Sequence, residues 1–286
     1  DKSEIPAVSG VQAKDQDRVE TVTYHKDAQK AVIRYVSTNG NQVLKTDEVT
    51  GKSGEAIAYS TTSQITEFKK QGYNLVSDEF TAGGAKVYDY DTARDQVYTV
   101  TLSERVEPVN PDNPSPQPNT PVNPGQPDSP RWPASVHDLD NKESVSRTIH
   151  YVYEDGSKAK DDVVETLNFK RWSNVNLVTG HIDFQDWTTN DDTFDKVVSP
   201  TIAGYTADKS EIPAVSGVQA KDQDRVETVT YRKDAQKAVI RYVSTNGNQV
   251  LKTDEVTGKS GESIAYSTTS QITEFKKQGY NLVSDE

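Results

Sequence analysis

The segment TGKSGE, residues Thr50–Glu55, contains the Gly-Lys-Ser triplet that ends a phosphate-binding loop. Such a loop needs a further glycine five residues before Gly51, and this sequence has Thr46 at that position. The run before the triplet also alternates apolar and polar residues, as the second arm of a hairpin does. We therefore interpret TGKSGE as a glycine-rich loop that does not bind phosphate.

The histidines do not form a metal-binding or catalytic pattern. His25, His137, His150 and His181 show neither HxxxH nor HExxH spacing, and the sequence has no cysteine to serve as a nucleophile or thiolate ligand. A repeated segment, described below, carries Arg232 in place of His25. Because no nucleophile, base and orienting group can be assembled, we expect a protein that is not an enzyme.

Two acidic clusters could bind a hard cation. DWTTNDDTFD contains Asp186, Asp191, Asp192 and Asp195, and HDLDNKE is a looser group around Asp138. Calcium prefers oxygen ligands from such stretches, but the spacing and central glycine of an EF-hand are absent. We expect no cofactor and interpret the clusters as acidic loops or helix N-termini, with Ca²⁺ as the open alternative.

The three tryptophans could stack on sugars or pack in a core. Trp132, Trp172 and Trp187 all lie in one part of the chain, after its proline-rich stretch. A single sequence does not separate these two uses, because both need a large flat apolar face. We favour core packing.

Charge and hydropathy exclude two classes of partner. The net charge is −12 with a pI near 4.9, whereas nucleic-acid-binding proteins need clustered Lys and Arg. No stretch approaches the roughly 18 apolar residues that span a bilayer. We therefore expect neither nucleic-acid binding nor membrane insertion in this segment.

The chain repeats itself. The text from Asp1 to Glu79 returns from Asp208 to Glu286 with only two changes, His25 to Arg232 and Ala56 to Ser263. Near-identity over this length indicates a recent tandem duplication of a unit of about 207 residues. The chain is thus a window onto an array.

Within the repeat, one domain is indicated by a hairpin, a helix and a closing strand. AVIRYVSTNGNQVLKTDEVTG alternates on both sides of Asn39-Gly40, the signature of a type I′ hairpin turn. A short helix follows, with Ser63 as N-cap, Gly72 as a left-handed C′ residue and Tyr73 packed on Phe68. DQVYTVTL, from Asp95, closes the domain, and this order indicates an α+β fold.

A second domain repeats this plan more faintly. RTIHYVYEDGSK offers Asp155-Gly156 at the turn, AGYTAD offers Gly204-Tyr205 opposite Gly72-Tyr73, and DRVETVTY from Asp224 resembles DQVYTVTL. The text that opens the chain is then the tail of this larger domain, including its closing strand.

Nine of the thirteen prolines lie between Pro108 and Pro130, many of them three residues apart. That spacing matches the three-residue turn of polyproline II and predicts a semi-rigid spacer, whose ends would be roughly 70 Å apart.

These patterns predict five segments. Residues 1–24 are the C-terminal tail of a larger domain, 25–107 a smaller domain, 108–130 the spacer, 131–231 a larger domain, and 232–286 a smaller domain without its closing strand. A sheet that lacks its closing strand exposes backbone and apolar side chains, so we expect both ends to be disordered or paired with a neighbouring molecule.

The ordered series YVSTNG, VTGKSGEAIAY, GYNLV and VYTVTL resembles the mucus-binding (MucBP) repeat of surface adhesins from intestinal Gram-positive bacteria. The whole unit resembles the long two-domain Mub repeat, over everything except the proline-rich spacer. The resemblance implies tandem ubiquitin-like β-grasp domains in an elongated, end-to-end array that is exported and attached to the cell wall. It also implies adhesion to mucin glycoproteins and, in some relatives, binding of immunoglobulins.

No catalytic residue comes with this family. If the immunoglobulin mode applies, the resemblance to protein L-like domains points to the second hairpin strand and the helix, hence to Val43, Lys45, Gln64, Glu67 and Lys70. Because a strongly acidic chain is not steered to acidic mucins, recognition would be local and weak, with its strength coming from copy number. The alternative is a structural stalk that only projects a distal binding domain.

Overall fold

The computed structural model describes residues 5, 7–14 and 16–285, and it divides into two compact units. The first unit contains residues 1–141 and 171–186, and the second contains 142–170 and 187–286. The strands, numbered along the chain, are β1 Ala28–Ser37, β2 Val43–Lys52, β3 Tyr73–Asp78, β4 Gln96–Glu104, β5 Val106–Val109, β6 Lys142–Tyr153, β7 Lys158–Lys170, β8 Ser173–Asn176, β9 Ile182–Phe184, β10 Val197–Val198, β11 Tyr205–Ala207, β12 Glu211–Ile212, β13 Arg225–Lys233, β14 Ala235–Val243 and β15 Val250–Lys259. The helices are α1 Thr62–Lys70, α2 Thr269–Lys277 and a 3₁₀ turn at Ala134–Asp138. None of the helices formed by the described residues is long and apolar enough to cross a membrane.

The first unit is built on a four-stranded sheet of order β2-β1-β4-β3. The central strands β1 and β4 are parallel, and each pairs with its outer neighbour in antiparallel fashion. Alternate residues of β1 and β4 point to one face, where α1 covers them. That core includes Ile33, Tyr35, Val100 and Leu102, all fully buried, together with Phe68 of the helix.

The hairpin predicted around Asn39-Gly40 is confirmed, but its turn is not type I′. The residues with positive φ are Gly40 and Asn41, at 66° and 53°. The loop is longer than two residues, because Ser37 N donates to Gln42 O and the register shifts after Tyr35. The left-handed positions therefore fall one residue later than a two-residue turn would place them.

The helix ends at the predicted glycine, but it starts two residues earlier than predicted. Its N-cap is Thr61, not Ser63, and the Thr61 hydroxyl donates to Asp78 at 2.6 Å instead of capping the helix. Gly72 has φ +95°, and the rings of Phe68 and Tyr73 pack edge to face with centroids 5.7 Å apart. The predicted glycine-ended helix with its hydrophobic contact is thus confirmed.

The proline-rich stretch is not an extended polyproline II spacer, and this prediction is wrong. Pro108 lies within β5, opposite Asn174 of β8. Further on, the chain turns back on itself, because Val122 N donates to Pro130 O and Trp132 N to Thr120 O, both at 2.9 Å. Val122 and Trp132 pack on a small core formed by buried residues of other segments, namely Val109, Val136, Val175 and Leu177. This burial stabilises a folded loop over an extended rod.

The second unit repeats the sheet arrangement, in the order β11-β13-β6-β7 with β6 and β13 parallel. Gly204 has φ +79° and precedes Tyr205, the first residue of β11, as Gly72 precedes Tyr73 of β3. The described residues between β7 and β11 contain no α-helix. Instead, the stretch supplies apolar side chains such as Phe194 and Val218 to the core.

Identical sequences adopt different structures in the two copies. Residues 224–231 belong to or border β13, but the same letters at 17–24 form no strand. Likewise, Tyr73–Asp78 is a strand paired with β4, whereas residues 280–285 are not in a strand. A tertiary partner, not local sequence, therefore decides strand formation here. Residues 1–4, 6, 15 and 286 lie outside the described residues, and our expectation of disordered or intermolecularly paired ends stays a prediction.

Candidate functional site

The residues predicted to bind a partner lie on two neighbouring elements of the first unit. Val43 begins β2 and is 53% exposed, Lys45 lies two residues further along the strand, and Gln64, Glu67 and Lys70 lie on α1. We call these five residues the β2–α1 surface. Lys45 Nζ donates to Gln64 Oε1 at 2.7 Å, so the strand and the helix are joined directly.

Hydrogen bonds continue from Lys45 through Asp47 and Tyr59 to Tyr35. Lys45 Nζ also lies 2.9 Å from Asp47 Oδ2, which accepts a 2.6 Å hydrogen bond from Tyr59 OH. The Tyr59 and Tyr35 hydroxyls are 2.9 Å apart. Burial, followed by the hydrogen bond to Asp47, raises the pKa of Tyr59. Burial alone would raise the pKa of Asp47, but hydrogen bonds from Tyr59 and Lys45 outweigh it and lower that pKa. The carboxylate therefore stays ionised and the phenol stays protonated at neutral pH.

The second copy of the domain forms the same chain of contacts. The corresponding distances are 2.7 Å for Lys252–Gln271, 2.9 Å for Lys252–Asp254, 2.6 Å for Tyr266–Asp254 and 2.7 Å for Tyr242–Tyr266. Yet α2 has no buried residue, whereas Ile65 and Phe68 of α1 are buried. The polar chain is thus a local property of the hairpin and helix.

The far end of α1 faces carboxylates. Lys70 Nζ lies 3.0 Å from Glu67 Oε1 and 3.3 Å from Asp128 Oδ1 of the proline-rich stretch. Hydrogen bonds to Glu67 and Asp128 raise the pKa of this exposed lysine. A partner that uses Lys70 must compete with both carboxylates, just as a partner that uses Lys45 must compete with Asp47.

The second unit carries a groove that sequence analysis missed. It has a volume of about 420 Å³ and is lined by the ends of β6 and β7 and by residues 188–191. Its polar walls come from Lys142, Glu143, Thr166, Asn168, Lys170, Thr188, Thr189, Asn190 and Asp191. Hydroxyl, carboxamide, ammonium and carboxylate groups supply both hydrogen-bond donors and hydrogen-bond acceptors along these walls.

Backbone contacts hold the wall formed by residues 188–191 against β7. Thr188 and Lys170 exchange two backbone hydrogen bonds of 2.8 and 2.9 Å, and Thr189 Oγ1 donates to Asn168 O at 2.8 Å. Deeper in the unit, the fully buried Arg147 donates to the carbonyls of Pro213 and Asp195 and pairs with Glu165. The loop that contains the acidic cluster is therefore fixed to the sheet, and the groove is a preformed feature.

The only sequence signal for the groove is partial. Thr166, Asn168 and Lys170 are exposed and alternate with the buried Leu167 and Phe169, as in any amphipathic strand. Asp191 belongs to the acidic cluster considered for calcium, but Asp191 Oδ1 accepts from Thr193 N and Asp192 Oδ1 from Thr193 Oγ1. Among the residues that the structure describes, no three His, Asp or Glu side chains come together as a metal site.

The tryptophans and the TGKSGE segment were the other candidates from the sequence, and the structure shows what surrounds them. Trp132 and Trp187 pack against hydrophobic cores, as favoured from the sequence, whereas Trp172 is 46% exposed. In TGKSGE, Ser53 N donates to Asp27 O at 3.0 Å and Gly51 lies against the ring of Tyr88. The segment is a packed strand end.

Comparisons with known proteins match both kinds of domain. The model of the Muc B2-like domain matches residues 136–235, and that of the mucin binding domain matches 29–104 and 236–286. Comparison with curated proteins gives no match.

Three solved structures illustrate the similarity. A crystal structure of Mub-RV is 26% identical, covers 72% of this chain and 99% of its own, and has a TM-score of 0.57. The type 2 repeat of the mucus binding protein MUB from Lactobacillus reuteri is 28% identical over 72% of this chain and 100% of its own, with a TM-score of 0.47. The MucBP domain of an adhesion protein from Pediococcus pentosaceus is 36% identical over 32% of this chain and 98% of its own, with a TM-score of 0.29.

Proposed function

Because the chain belongs to the family of mucus-binding Mub and MucBP repeats, we propose that it is a segment of a bacterial surface adhesin that binds mucin glycans. The observation that carries this proposal is the tandem order of the two matched domain types, 29–104, 136–235 and 236–286, along a chain that duplicates itself. Mub repeats come from bacterial surface adhesins, so we place the parent protein outside the cell, exported and attached to the cell wall.

We assign both domain types to the β-grasp class. Two features support this: the sheet orders β2-β1-β4-β3 and β7-β6-β13-β11, and the parallel central pair that both sheets share. In the smaller domain α1 covers one face of the sheet, as the class requires. The larger domain replaces the helix with irregular segments.

The groove of the second unit is the site that we assign to glycans. Its lining contains two lysines and two carboxylates, so recognition rests on local hydrogen bonds and not on the field of the whole chain, whose net charge is −12. An open groove of this size, lined by apolar as well as polar groups, would hold a short oligosaccharide and leave much of it in water. Affinity per module is therefore expected to be low.

Removal of mucin glycans should abolish binding of the chain. The measurement is surface plasmon resonance on immobilised mucin before and after glycosidase treatment. Asn168→Ala should weaken binding about 5- to 10-fold, since one or two hydrogen bonds contribute about 1 kcal/mol or slightly more. Thr228→Ala, a polar position of β13 that does not line the groove, serves as the matched control. Unchanged binding to deglycosylated mucin would contradict glycan recognition, and no binding even when the chain is clustered on beads would favour the stalk.

Immunoglobulin binding is the second candidate function, at the β2–α1 surface. One observation favours it: Lys45 and Gln64 form one contiguous, partly exposed pair beside the edge strand β2, and Lys252 and Gln271 repeat that pair. An edge strand offers free backbone groups to an incoming strand, and the paired side chains would add specificity.

Loss of both lysines should weaken immunoglobulin capture about 10-fold. The double substitution Lys45→Ala with Lys252→Ala removes the pair from both copies, and biolayer interferometry on immobilised immunoglobulin measures the change. Lys26→Ala with Lys233→Ala is the control, because these corresponding residues also pair with a carboxylate in each copy, Glu55 and Glu262. Equal losses in the two double variants would contradict a specific surface.

A further inference from the structure

In each unit, the first and last strands of the main sheet domain are parallel neighbours. β1 and β4 pair over seven residues, Ala31–Ser37 with Gln96–Leu102. β6 and β13 also pair over seven residues, Arg147–Tyr153 with Arg225–Tyr231. The two domains therefore share one arrangement of their entry and exit strands, although only the smaller has an α-helix between its outer strands.

A parallel pair places the two ends of the domain at opposite ends of the pair. The chain enters β1 at Ala28 and leaves β4 at Glu104. Tension transmitted through the chain therefore pulls the two strands along their axes in opposite directions. All the inter-strand hydrogen bonds are loaded at the same time and must break together. In an antiparallel pair joined at one end, the same tension would open the bonds one after another.

The packing around each pair reinforces this geometry. β1 is also paired with β2, and β4 with β3, so both central strands are held on their outer sides. Inward side chains in the middle of both pairs are fully buried, as for Ile33, Val100, Ile149 and Val229. Burial keeps water away from the inner side of the ladder, so water does not easily replace single bonds as they stretch.

We propose that each of these domains is a mechanical clamp that carries tension along the array by shear of its parallel strand pair. The tension would arise when fluid flow pulls on a cell that the surface protein attaches. This role goes beyond glycan binding and holds equally for a stalk. Within the described residues, the hairpin β14–β15 with α2 has no parallel partner strand, so this segment should yield at low force.

Single-molecule force spectroscopy with two attachment geometries tests the proposal. The chain has no cysteine, so introduced cysteines define the attachment points uniquely. Lys26→Cys with Ser103→Cys loads β1 and β4 from opposite ends. Lys26→Cys with Arg94→Cys loads both strands at their N-terminal ends, and the pair is then peeled open. Lys26 and Arg94 are exposed and Ser103 is half-buried.

We expect the unfolding force to be at least twofold higher in the opposite-end geometry at the same loading rate. Each event is assigned by the extension released, roughly 3.6 Å per residue. Circular dichroism melts establish that both variants fold. Equal forces in the two geometries would overturn the clamp. As a measurement that needs no variant within the sheets, pulling the whole chain by its ends should give two high-force events. Failure of either domain to resist more than segment 235–286 would also overturn the proposal.

Discussion

Gly51→Ala should destabilise the first sheet domain by about 3 kcal/mol or more, whereas Gly258→Ala should be tolerated. A Cβ atom at Gly51 would lie 2.1 Å from Cε2 of Tyr88, with two further ring atoms at 2.8 Å. Tyr88 is 3% exposed and belongs to the core, so its ring has no free space to enter. Gly258 is the corresponding residue in the second TGKSGE segment, at residues 257–262. A Cβ atom there would have no heavy atom within 4 Å. Neither glycine has a positive φ, so the difference isolates the contact with Tyr88.

Hydrogen exchange followed by mass spectrometry resolves the two domains, because a single melting curve would average them. Amides of β1 and β4 should lose protection in Gly51→Ala, and those of β6 and β13 should keep it. Gly258→Ala should be neutral or slightly stabilising, since alanine costs less backbone entropy than glycine in a strand. The double variant Gly51→Ala with Tyr88→Leu should regain part of the stability, because the smaller side chain relieves the overlap. Equal protection in the two single variants would contradict the assignment.

Structural features that depend on neighbouring residues could be predicted from the sequence. The hairpin around residues 38–42, the glycine at the end of α1 and the Phe68–Tyr73 contact all depend on residues within a few positions of one another. The repeat itself also allowed the closing strand of the larger domain to be located by comparison. Family resemblance then placed the two domain types in order.

The proline-rich stretch shows where local reasoning fails. Proline spacing favours an extended conformation, but it does not reveal that Val109 and Trp132 have apolar partners in Val175 and Leu177, far along the chain. The groove was missed for a related reason. The sequence pattern predicts a solvated strand face for Thr166, Asn168 and Lys170. Only the tertiary fold brings residues 188–191 beside that face. The duplicated text at 17–24 and 224–231 makes the same point within one molecule, because one copy is a strand and the other is not.

The proposed β2–α1 surface was predicted in part. Lys45 and Gln64 come together, as Glu67 and Lys70 do, but the first pair bonds across two elements and the second within one helix turn. No local pattern predicts Asp128 beside Lys70, because that contact depends on the folding of the proline-rich stretch.

Linking copies of the chain should increase mucin affinity far more than any single substitution changes it. The two differences between the repeated segments, at residues 25 and 56, lie outside the β2–α1 surface, and the groove at residues 142–191 occurs once in the chain. Two linked copies of the chain would therefore present two identical grooves. After one copy binds, the next is held at a high effective concentration, and overall avidity can exceed single-module affinity by about 10² to 10⁴. We expect about a 100-fold lower apparent Kd for two copies of the 286-residue chain joined by a flexible linker.

We expect the lower apparent Kd of the linked chain to come from tethering and not from an altered binding site. Association and dissociation rates distinguish these two causes. Surface plasmon resonance on mucin should show an unchanged association rate per copy and a much slower dissociation rate for the linked chain. On single mucin-derived glycans immobilised so sparsely that neighbouring glycans are out of reach of each other, the advantage should vanish. Asn168→Ala in one copy of a linked pair should raise the apparent Kd by about 5- to 10-fold, as in the single chain, because the affinities of the two sites multiply. A linked pair that dissociates as fast as the single chain on dense mucin would show that one copy binds in a way that excludes its neighbour, and the multivalent mechanism would then be wrong.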